Sequence, residues 1–317
     1  MAILKKAPDK DFTILNLADT QISLENFETK NKDFNLMCAT VRKLIETVKP
    51  DLITNTGDLS LSGSIPVYEF YAEFMDSLEI PWAFVWGNHD SQGGPNETKR
   101  AANVFKGHKF CLFEEGDETL GSGNYVIEIQ ENDIPVEALI MMDSHDRVPY
   151  ADNSTWAKLL PEQLDWYGDI IKDLKARGCK DSTIFTHIPP YGYFEAYNAA
   201  TNKDHLDLWE SYGSSVWNEG YKDSFGVKWE GICCYPEDDG VLDEVVRLGH
   251  TKNIVVGHDH VNNFSIKYRG VRLTYSLKTG SGCYWNEELS GGTVMKVNKS
   301  GVCDLYHVYT NPKKLCE

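Results

Sequence analysis

Five short apolar stretches of this sequence each end abruptly in aspartate, asparagine, glutamine or histidine. Apolar runs of this length that stop at polar or glycine-containing turns are typical of buried strands. Polar side chains crowded at strand ends are costly to bury without partners, so the recurrence of the pattern indicates a shared role for them. In chain order, the stretches are residues 14–21, 52–58, 80–90, 183–187 and 254–260.

The segments between the first three stretches have helical periodicity. Apolar residues recur at helical spacing over residues 35–49 and again over 67–78, and Pro50 ends the first of these helices. Strands that alternate with helices predict a parallel sheet, and open α/β sheets place their sites at the carboxyl ends of the strands. Residues 264–277 and 293–309 predict antiparallel strand pairs. The chain is therefore predicted to have an α/β fold.

Residues 191–240 fit neither the helical nor the strand period and are rich in tyrosine, tryptophan, glycine and aspartate. A long irregular segment inside a compact domain is usually a lid or a binding loop. Two interpretations are open: the segment is a lid-like insertion, or its aromatic side chains pack it onto the body of the protein. Because the sequence contains no repeat and no linker, residues 1–317 are predicted to form a single domain that includes this insertion.

Charge and cysteine content narrow the classes of function. The net charge of −17 argues against stable binding of nucleic acid, which requires basic patches facing the phosphates. The eight cysteines are scattered, without a CxxC pair, and predict free thiols rather than a disulfide framework. No apolar run reaches the ~18–20 residues of a membrane span, and the start of the chain is too short for a signal peptide. A cytoplasmic protein without a membrane partner is expected.

The residue types at the five strand ends suit a metal site. Asp, Asn and His side chains, without thiolates, are ligands typical of Mn, Fe or Zn ions. One carboxylate can bridge two ions, and two ions about 4 Å apart can hold a phosphoryl group and the hydroxide that attacks it. Taken singly, residues 87–90 fit an ordinary polar turn equally well, and His258 and His260 fit an ordinary polar pair. The occurrence of all five blocks in one order favours the metal site.

The polar residues of the five stretches form short sequence blocks. The blocks are Asp19-Thr20-Gln21, Gly57-Asp58, Gly87-Asn88-His89-Asp90, His187 and Gly257-His258-Asp259-His260. In this order they resemble the signature blocks of the calcineurin-like metallophosphoesterases. The runs Gly-His-Asp-His-Val-Asn-Asn-Phe, His-Ile-Pro and Pro-Glu-Gln-Leu-Asp-Trp are similar to intracellular phosphatases related to purple acid phosphatases. The resemblance spans nearly the whole chain and implies a four-layer α/β/β/α sandwich, with two mixed sheets flanked by helices.

The resemblance implies a dinuclear metal-dependent phosphoesterase that hydrolyses a small phosphomonoester or phosphodiester by in-line attack of a metal-bound hydroxide. The ligands implied for the first ion are Asp19, Asp58 and His260. The ligands implied for the second ion are Asn88, His187 and His258, with Asp58 bridging the two ions. His89 would face the phosphate and protonate the leaving oxygen, while Asp90 would orient the His89 ring and raise its pKa.

Two positions depart from the pattern of the family. Gln21 stands where the first block usually ends in histidine, and an amide oxygen is a poorer donor than an imidazole. Gln21 either coordinates the first ion, which is the expectation adopted here, or only hydrogen-bonds a bound water. Leu61 replaces the metal-binding tyrosine of purple acid phosphatases, so an iron–tyrosinate chromophore is not expected. The alternative function is a protein that binds metal and a phosphate ligand with weak or no turnover, because Gln21 leaves the first ion loosely held.

Overall fold

The computed structural model describes residues 1–94, 96–201 and 217–311, which form two large β-sheets, a small hairpin and flanking helices. The strands are β1 (Ala2–Lys5), β2 (Phe12–Leu17), β3 (Leu52–Asn55), β4 (Trp82–Phe84), β5 (Tyr125–Glu131), β6 (Ile134–Met141), β7 (Arg147–Tyr150), β8 (Asn153–Trp156), β9 (Asp181–Phe185), β10 (Thr251–Val256), β11 (Ser265–Tyr268), β12 (Val271–Tyr275), β13 (Gly291–Asn298) and β14 (Gly301–Tyr309). The α-helices are α1 (Leu24–Thr29), α2 (Lys32–Val48), α3 (Ile65–Asp76), α4 (Glu97–Phe105), α5 (Pro161–Ala176), α6 (Gly192–Ala200) and α7 (Val241–Leu248).

Both large sheets are mixed. The first has seven strands in the order β1-β5-β6-β9-β10-β12-β11, and the second has five in the order β14-β13-β2-β3-β4. In the five-stranded sheet, β2, β3 and β4 are parallel, as the alternation of strands and helices predicts, and β13 joins β2 in antiparallel orientation. In the seven-stranded sheet, β6, β9, β10 and β12 are parallel neighbours. The strands that precede the candidate site therefore belong to two different sheets.

Strand β4 and the two residues after it show why an unbroken apolar run forms a strand here. Trp82, Phe84 and Trp86 pack on one side, among residues of α3 and α4. Ala83 and Val85 point the opposite way, into the layer between the two sheets. Since side chains of a strand alternate between faces, a strand buried on both faces needs apolar residues at every position.

The core has three layers that separate four layers of secondary structure. The central layer lies between the sheets and contains residues of both, among them Ile14, Leu52, Leu139, Phe185 and Val255. One outer layer packs α2, α3 and α4 against the five-stranded sheet. The other packs α5, α6 and α7 against the seven-stranded sheet. The predicted α/β/β/α sandwich is confirmed.

The expectation of an irregular segment over residues 191–240 is wrong at its start, where α6 forms. Tyr193 and Tyr197 of this helix are fully buried against the seven-stranded sheet, together with Ala196 and Ala200. These four positions follow helical spacing, which the adjacent partly buried aromatic residues hide in the sequence. Residues 202–216 lie outside the described residues, so the lid-like role of the segment stays a prediction.

The described part of the chain includes seven α-helices and seven cysteines. There, none of the helices has the length and apolar character that crossing a bilayer would require. The seven cysteines of these residues are free thiols, as the scattered spacing predicts, while Cys316 lies outside the described residues.

Glu137 in β6 predicts an unusual dependence of stability on pH. Burial raises the pKa of this carboxyl to about 8, although Thr183 donates a hydrogen bond to it over 2.8 Å. The folded protein thus keeps a proton that the unfolded chain releases near pH 4.5, so stability falls as the pH rises from about 4.5 to 8. Glu137→Gln, which stays neutral, is expected to raise the free energy of unfolding at pH 8 by about 2–5 kcal/mol, and by much less at pH 5.

Urea unfolding of the parent and Glu137→Gln at pH 5 and pH 8 measures this difference. Glu69 is exposed on α3, so Glu69→Gln is the matched control and should change stability by less than about 0.5 kcal/mol at both pH values. A stability difference for Glu137→Gln that does not grow between pH 5 and pH 8 would contradict the prediction.

Candidate metal centre

The polar ends of five strands meet at one edge shared by the two sheets. In the five-stranded sheet, β2, β3 and β4 are followed by Asp19, Asp58 and Asn88. In the seven-stranded sheet, β9 is followed by His187, and β10 by residues 257–260. The structure brings all seven metal-ligand candidates of the sequence into one buried cluster, namely Asp19, Gln21, Asp58, Asn88, His187, His258 and His260.

Tight turns after the strands direct these side chains inward. Asp19, Gln21, Asp58 and His258 adopt left-handed backbone conformations, with φ of 50°, 41°, 54° and 79°. Such conformations cost of order 1–3 kcal/mol for residues other than glycine and tend to occur at functional sites. The packing around these four residues therefore offsets the cost of their left-handed backbone conformations.

The second candidate site is centred on Nε2 of His187. This atom lies 3.1 Å from Oδ1 of Asn88, 3.2 Å from Nδ1 of His258 and 3.4 Å from Oδ1 of Asp58. Nδ1 of His187 donates to the carbonyl oxygen of Thr56 over 2.7 Å. Because that bond fixes the proton on Nδ1, the lone pair of Nε2 points at the other three groups.

A positive charge would stabilise such a cluster of acceptor atoms. Burial opposes a charged imidazole, yet the Asp58 carboxylate raises the pKa of His187 to about 9. Burial likewise opposes ionisation of Asp58, but the neighbouring His187 holds its pKa well below the usual range. Nε2 of His258 is buried without a hydrogen-bond partner among the described residues. Imidazole nitrogen, carboxylate and amide oxygen fit a cation of the Mn, Fe or Zn type.

The first candidate site combines two carboxylates and one imidazole. Asp19, Asp58 and His260 each offer one ligand atom, and these three atoms lie within 4.8 Å of one another. His260 repeats the arrangement of His187, since its Nδ1 lies 2.9 Å from the carbonyl oxygen of Tyr284 and its Nε2 lies 3.5 Å from Oδ1 of Asp19. These donors fit a divalent cation, and Asp58 is placed to serve both sites.

The hydrogen bonds of Gln21 disfavour its predicted coordination of the first ion, which stays a prediction. Oε1 of Gln21 accepts from Nζ of Lys278 over 2.6 Å, and Nε2 of Gln21 donates to Oδ2 of Asp58 over 2.8 Å. Because a lysine side chain has no acceptor, the amide oxygen must face it and the NH₂ group must face the carboxylate. Sequence reasoning missed Lys278, which is buried at this site with its pKa lowered by burial to about 8.

His89 lies beside both sites and belongs to neither. Its Nε2 is 4.0 Å from Oδ2 of Asp58, and its side chain is about one quarter exposed. Nδ1 lies 2.9 Å from the carbonyl oxygen of Leu61 and 3.0 Å from Oε1 of Gln92. Nδ1–H is therefore directed to oxygen acceptors, and Nε2 is left facing the open side of the centre.

Asp90 does not have the predicted role of orienting the His89 ring, because its carboxylate has other partners. It accepts hydrogen bonds from the backbone N–H groups of Leu59, Ser60 and Gly87 and from the hydroxyl of Tyr68, over 2.9–3.2 Å. Burial, together with the nearby Asp58 charge, raises the pKa of Asp90 to about 6. Asp90 thus joins the loops that carry Asp58 and Asn88, whereas the Leu61 carbonyl and Gln92 orient His89.

The β7–β8 hairpin is a further part of the site that sequence reasoning missed. Oδ2 of Asp146, just before β7, accepts from Oγ of Ser91 over 2.9 Å, near the His89 loop. Trp156, at the end of β8, packs edge-on against His258 with ring centroids 4.4 Å apart. The guanidinium of Arg147 lies 4.1 Å from the centre of the Trp156 ring. The hairpin therefore spans from the His89 loop to His258 of the second candidate site.

The centre has no room for a side chain at Gly87, next to the Asp58 carboxylate. A Cβ atom at this position would lie 2.1 Å from Oδ1 and 2.4 Å from the backbone nitrogen of Asp58. Gly87→Ala is therefore expected to displace the Asp58 carboxylate and to weaken metal binding by at least about tenfold. Metal content after dialysis against buffered Mn²⁺ measures the effect.

Gly220→Ala is the control for this substitution, because a Cβ atom there enters open space. It should bind metal like the parent. Circular dichroism establishes whether both variants are folded. A folded Gly87→Ala protein with the metal affinity of the parent would contradict the steric argument.

Comparison with known proteins gives a family and a fold for this chain. A model of the calcineurin-like phosphoesterase family matches residues 12–262. A crystal structure of a dimetal phosphatase from Danio rerio superposes with a TM-score of 0.57 at 12% identity, covering 94% of this chain and 98% of that one. That likeness concerns the fold.

Two curated relatives share sequence as well. The chain is 28% identical over 265 residues to "Probable inactive purple acid phosphatase 28" of Arabidopsis thaliana, covering 77% of this chain and 62% of the relative. It is 27% identical over 248 residues to "Phosphatase DCR2" of Saccharomyces cerevisiae, covering 72% of this chain and 39% of the relative. The chain thus spans about three fifths or less of the length of these relatives.

Proposed function

Because this chain belongs to the calcineurin-like phosphoesterase family, we propose that it is a metal-dependent phosphoric ester hydrolase. The observation that supports this most directly is the convergence of three lone-pair donors on Nε2 of His187, within 3.1–3.4 Å, in a buried cluster that carries further carboxylates. The proposed ligands of the first ion are Asp19, Asp58 and His260. Those of the second ion are Asn88, His187, His258 and the shared Asp58.

The residues around the ions have separate tasks in the proposed reaction. When bound, two ions of Mn, Fe or Zn would supply Lewis acidity to the phosphoryl group and an activated water. Nε2 of His89 would donate a proton to the leaving oxygen, while its Nδ1 is fixed by the Leu61 carbonyl oxygen. Asp90 keeps the loops of Asp58 and Asn88 in register through its four hydrogen bonds. Trp156 covers the His258 side of the centre and limits the access of water there.

A small phosphorylated molecule is the proposed substrate, either a monoester or a diester. The net charge of −17 disfavours long nucleic acids. The free thiols of the described residues are typical of a reducing compartment, and we propose the cytoplasm as the location.

Hydrolysis of aryl and alkyl phosphate esters by the metal-loaded protein tests the proposal. Protein stripped of metal with a chelator and then loaded with Mn²⁺, Fe²⁺ or Zn²⁺ should hydrolyse at least one ester, and the chelated protein should not. Absence of turnover with every metal and ester would contradict the proposed activity.

A second candidate function is a phosphate-ligand binding protein with weak or no turnover. The observation that favours it is the orientation of Gln21, which turns its NH₂ group rather than its oxygen to Asp58. Similarity to a plant protein named as probably inactive also supports a binding function without turnover. Tight binding of inorganic phosphate to the metal-loaded protein, without hydrolysis of any tested ester, would distinguish this function from catalysis.

A further inference from the structure

We propose that Lys278, acting through Gln21, is a fixed cationic group in the wall of the first metal site that makes this site weak and exchangeable, whereas the second site binds its ion tightly. The inference rests on the proposed function, because it assigns unequal roles to the two ions of that centre. It identifies Lys278 as a positioning residue for metal loading.

A direct chain of hydrogen bonds connects the ammonium group to the shared carboxylate. Nζ of Lys278 donates to Oε1 of Gln21 over 2.6 Å, and Nε2 of the same amide donates to Oδ2 of Asp58 over 2.8 Å. Nζ also donates to the backbone carbonyl oxygen of Asp19 over 3.1 Å. Lys278 therefore contacts Asp19 directly and Asp58 through the amide of Gln21.

The position of Lys278 is fixed by the backbone on either side of it. The Thr279 backbone N–H donates to the carbonyl oxygen of Ala18 over 2.8 Å, and the Ala18 N–H donates to the Thr279 hydroxyl over 3.2 Å. The carbonyl oxygen of Lys278 accepts from Gly291 over 3.0 Å. Because the side chain is also only 2% exposed, the ammonium cannot move into solvent without opening this part of the structure.

Two consequences for the first site follow from this arrangement. The Oε1 atom of Gln21 is held by the ammonium through a hydrogen bond, and a flipped amide would turn its NH₂ group towards Lys278, donor against donor. The site therefore offers three protein donors, from Asp19, Asp58 and His260. A buried positive charge close to these carboxylates also repels a second cation, since charges interact strongly where water is excluded.

The second site lacks both disadvantages. It has four donors, from Asn88, His187, His258 and Asp58, and Nδ1 of His187 is fixed on the Thr56 carbonyl oxygen. Such an outer hydrogen bond orients an imidazole ligand and raises its affinity for a metal. We expect the first equivalent of metal to bind here and the second to require a large excess.

Titration of the metal-free full chain with Mn²⁺ tests the inference by equilibrium dialysis and by electron paramagnetic resonance. The parent should bind one Mn²⁺ per chain tightly and a second at least about 100-fold more weakly. The spectrum of isolated Mn²⁺ should give way to that of a coupled pair only at high metal concentration. Equal affinity for the two ions in the parent would overturn the inference.

Variants distinguish two causes of weak binding at the first site, namely the charge of Lys278 and the presence of glutamine instead of histidine at position 21. Lys278→Met should raise the affinity for the second Mn²⁺ at least about tenfold. The double variant Gln21→His with Lys278→Met should raise it at least about 100-fold. Gln21→His alone should give a gain about tenfold smaller than the double variant. If Gln21→His alone brings the affinity for the second Mn²⁺ within threefold of the affinity for the first, Lys278 has no role in metal loading. This conclusion does not depend on whether Lys278→Met folds.

Lys6→Met is the matched control, because Lys6 is also buried but pairs with Glu131, outside the metal centre. Lys6→Met should bind the first and the second Mn²⁺ with the affinities of the parent. Binding is measured without substrate, so the inference can hold although hydrolysis is not observed. If no Mn²⁺ binds tightly to the parent, the proposed centre and this inference both fail.

Discussion

Asp58→Asn is expected to remove tight metal binding and to lower kcat/KM for a phosphate ester by at least about 10³-fold. Both carboxylate oxygens already accept hydrogen bonds, Oδ2 from Nε2 of Gln21 and Oδ1 from the backbone N–H of His89. An asparagine cannot accept on both sides, so its NH₂ group must face one of these donors. The substitution also removes the carboxylate charge that the two proposed metal sites share. Metal content and steady-state hydrolysis measure the two effects.

Asp165→Asn is the control for charge removal, because Asp165 is exposed on α5. It should retain the metal content and activity of the parent. A folded Asp58→Asn protein that keeps two ions and normal turnover would show that the carboxylate is not shared between metals, and the proposed centre would be wrong.

His89→Ala is expected to lower kcat about 10²–10⁴-fold for an alkyl phosphate while the metal content stays unchanged. The reason is its place beside both proposed sites, with Nε2 4.0 Å from Oδ2 of Asp58, where it would donate a proton to the leaving oxygen. For 4-nitrophenyl phosphate, whose leaving group needs no proton, the loss should be less than about tenfold. The difference between the two esters is the diagnostic measurement.

His108→Ala is a close match as a control for this variant. The His108 side chain is 24% exposed and lies 3.6 Å from Asp76, and that of His89 is 25% exposed and lies 4.0 Å from Asp58. His108→Ala should leave both esters unaffected. Equal losses for the two esters in His89→Ala would indicate that His89 stabilises charge on the phosphoryl group rather than protonating the leaving oxygen.

The alternation of strands and helices from β2 to β4 was predictable because it depends on local spacing, apart from the short helix α1. The apolar run at 80–86 alternates between two buried faces, as a strand in the middle of a four-layer sandwich must. The helix α6 was missed because Tyr191 and Phe194 hide the period of its buried residues. The polar residue types at the strand ends were sufficient to indicate a metal site, since ligand chemistry depends on the side chain itself.

The partners of these residues were not predictable from the sequence. The sequence indicates that the amide of Gln21 is a weak ligand. In the structure, Lys278, which follows it by 257 positions, donates to the amide oxygen, so the NH₂ group faces Asp58. Asp90 is adjacent to His89 in sequence, yet its carboxylate binds loops from elsewhere and the Leu61 carbonyl orients the ring.

The sequence by itself determined which side chains are available at the ends of the strands and that the strands alternate with helices. Only the tertiary structure decided that two sheets contribute to one site, and which atom of each polar side chain faces it. The physical reason is that a strand and its turn are set by neighbouring residues, whereas the orientation of a buried amide or imidazole is set by the donors and acceptors that packing brings beside it.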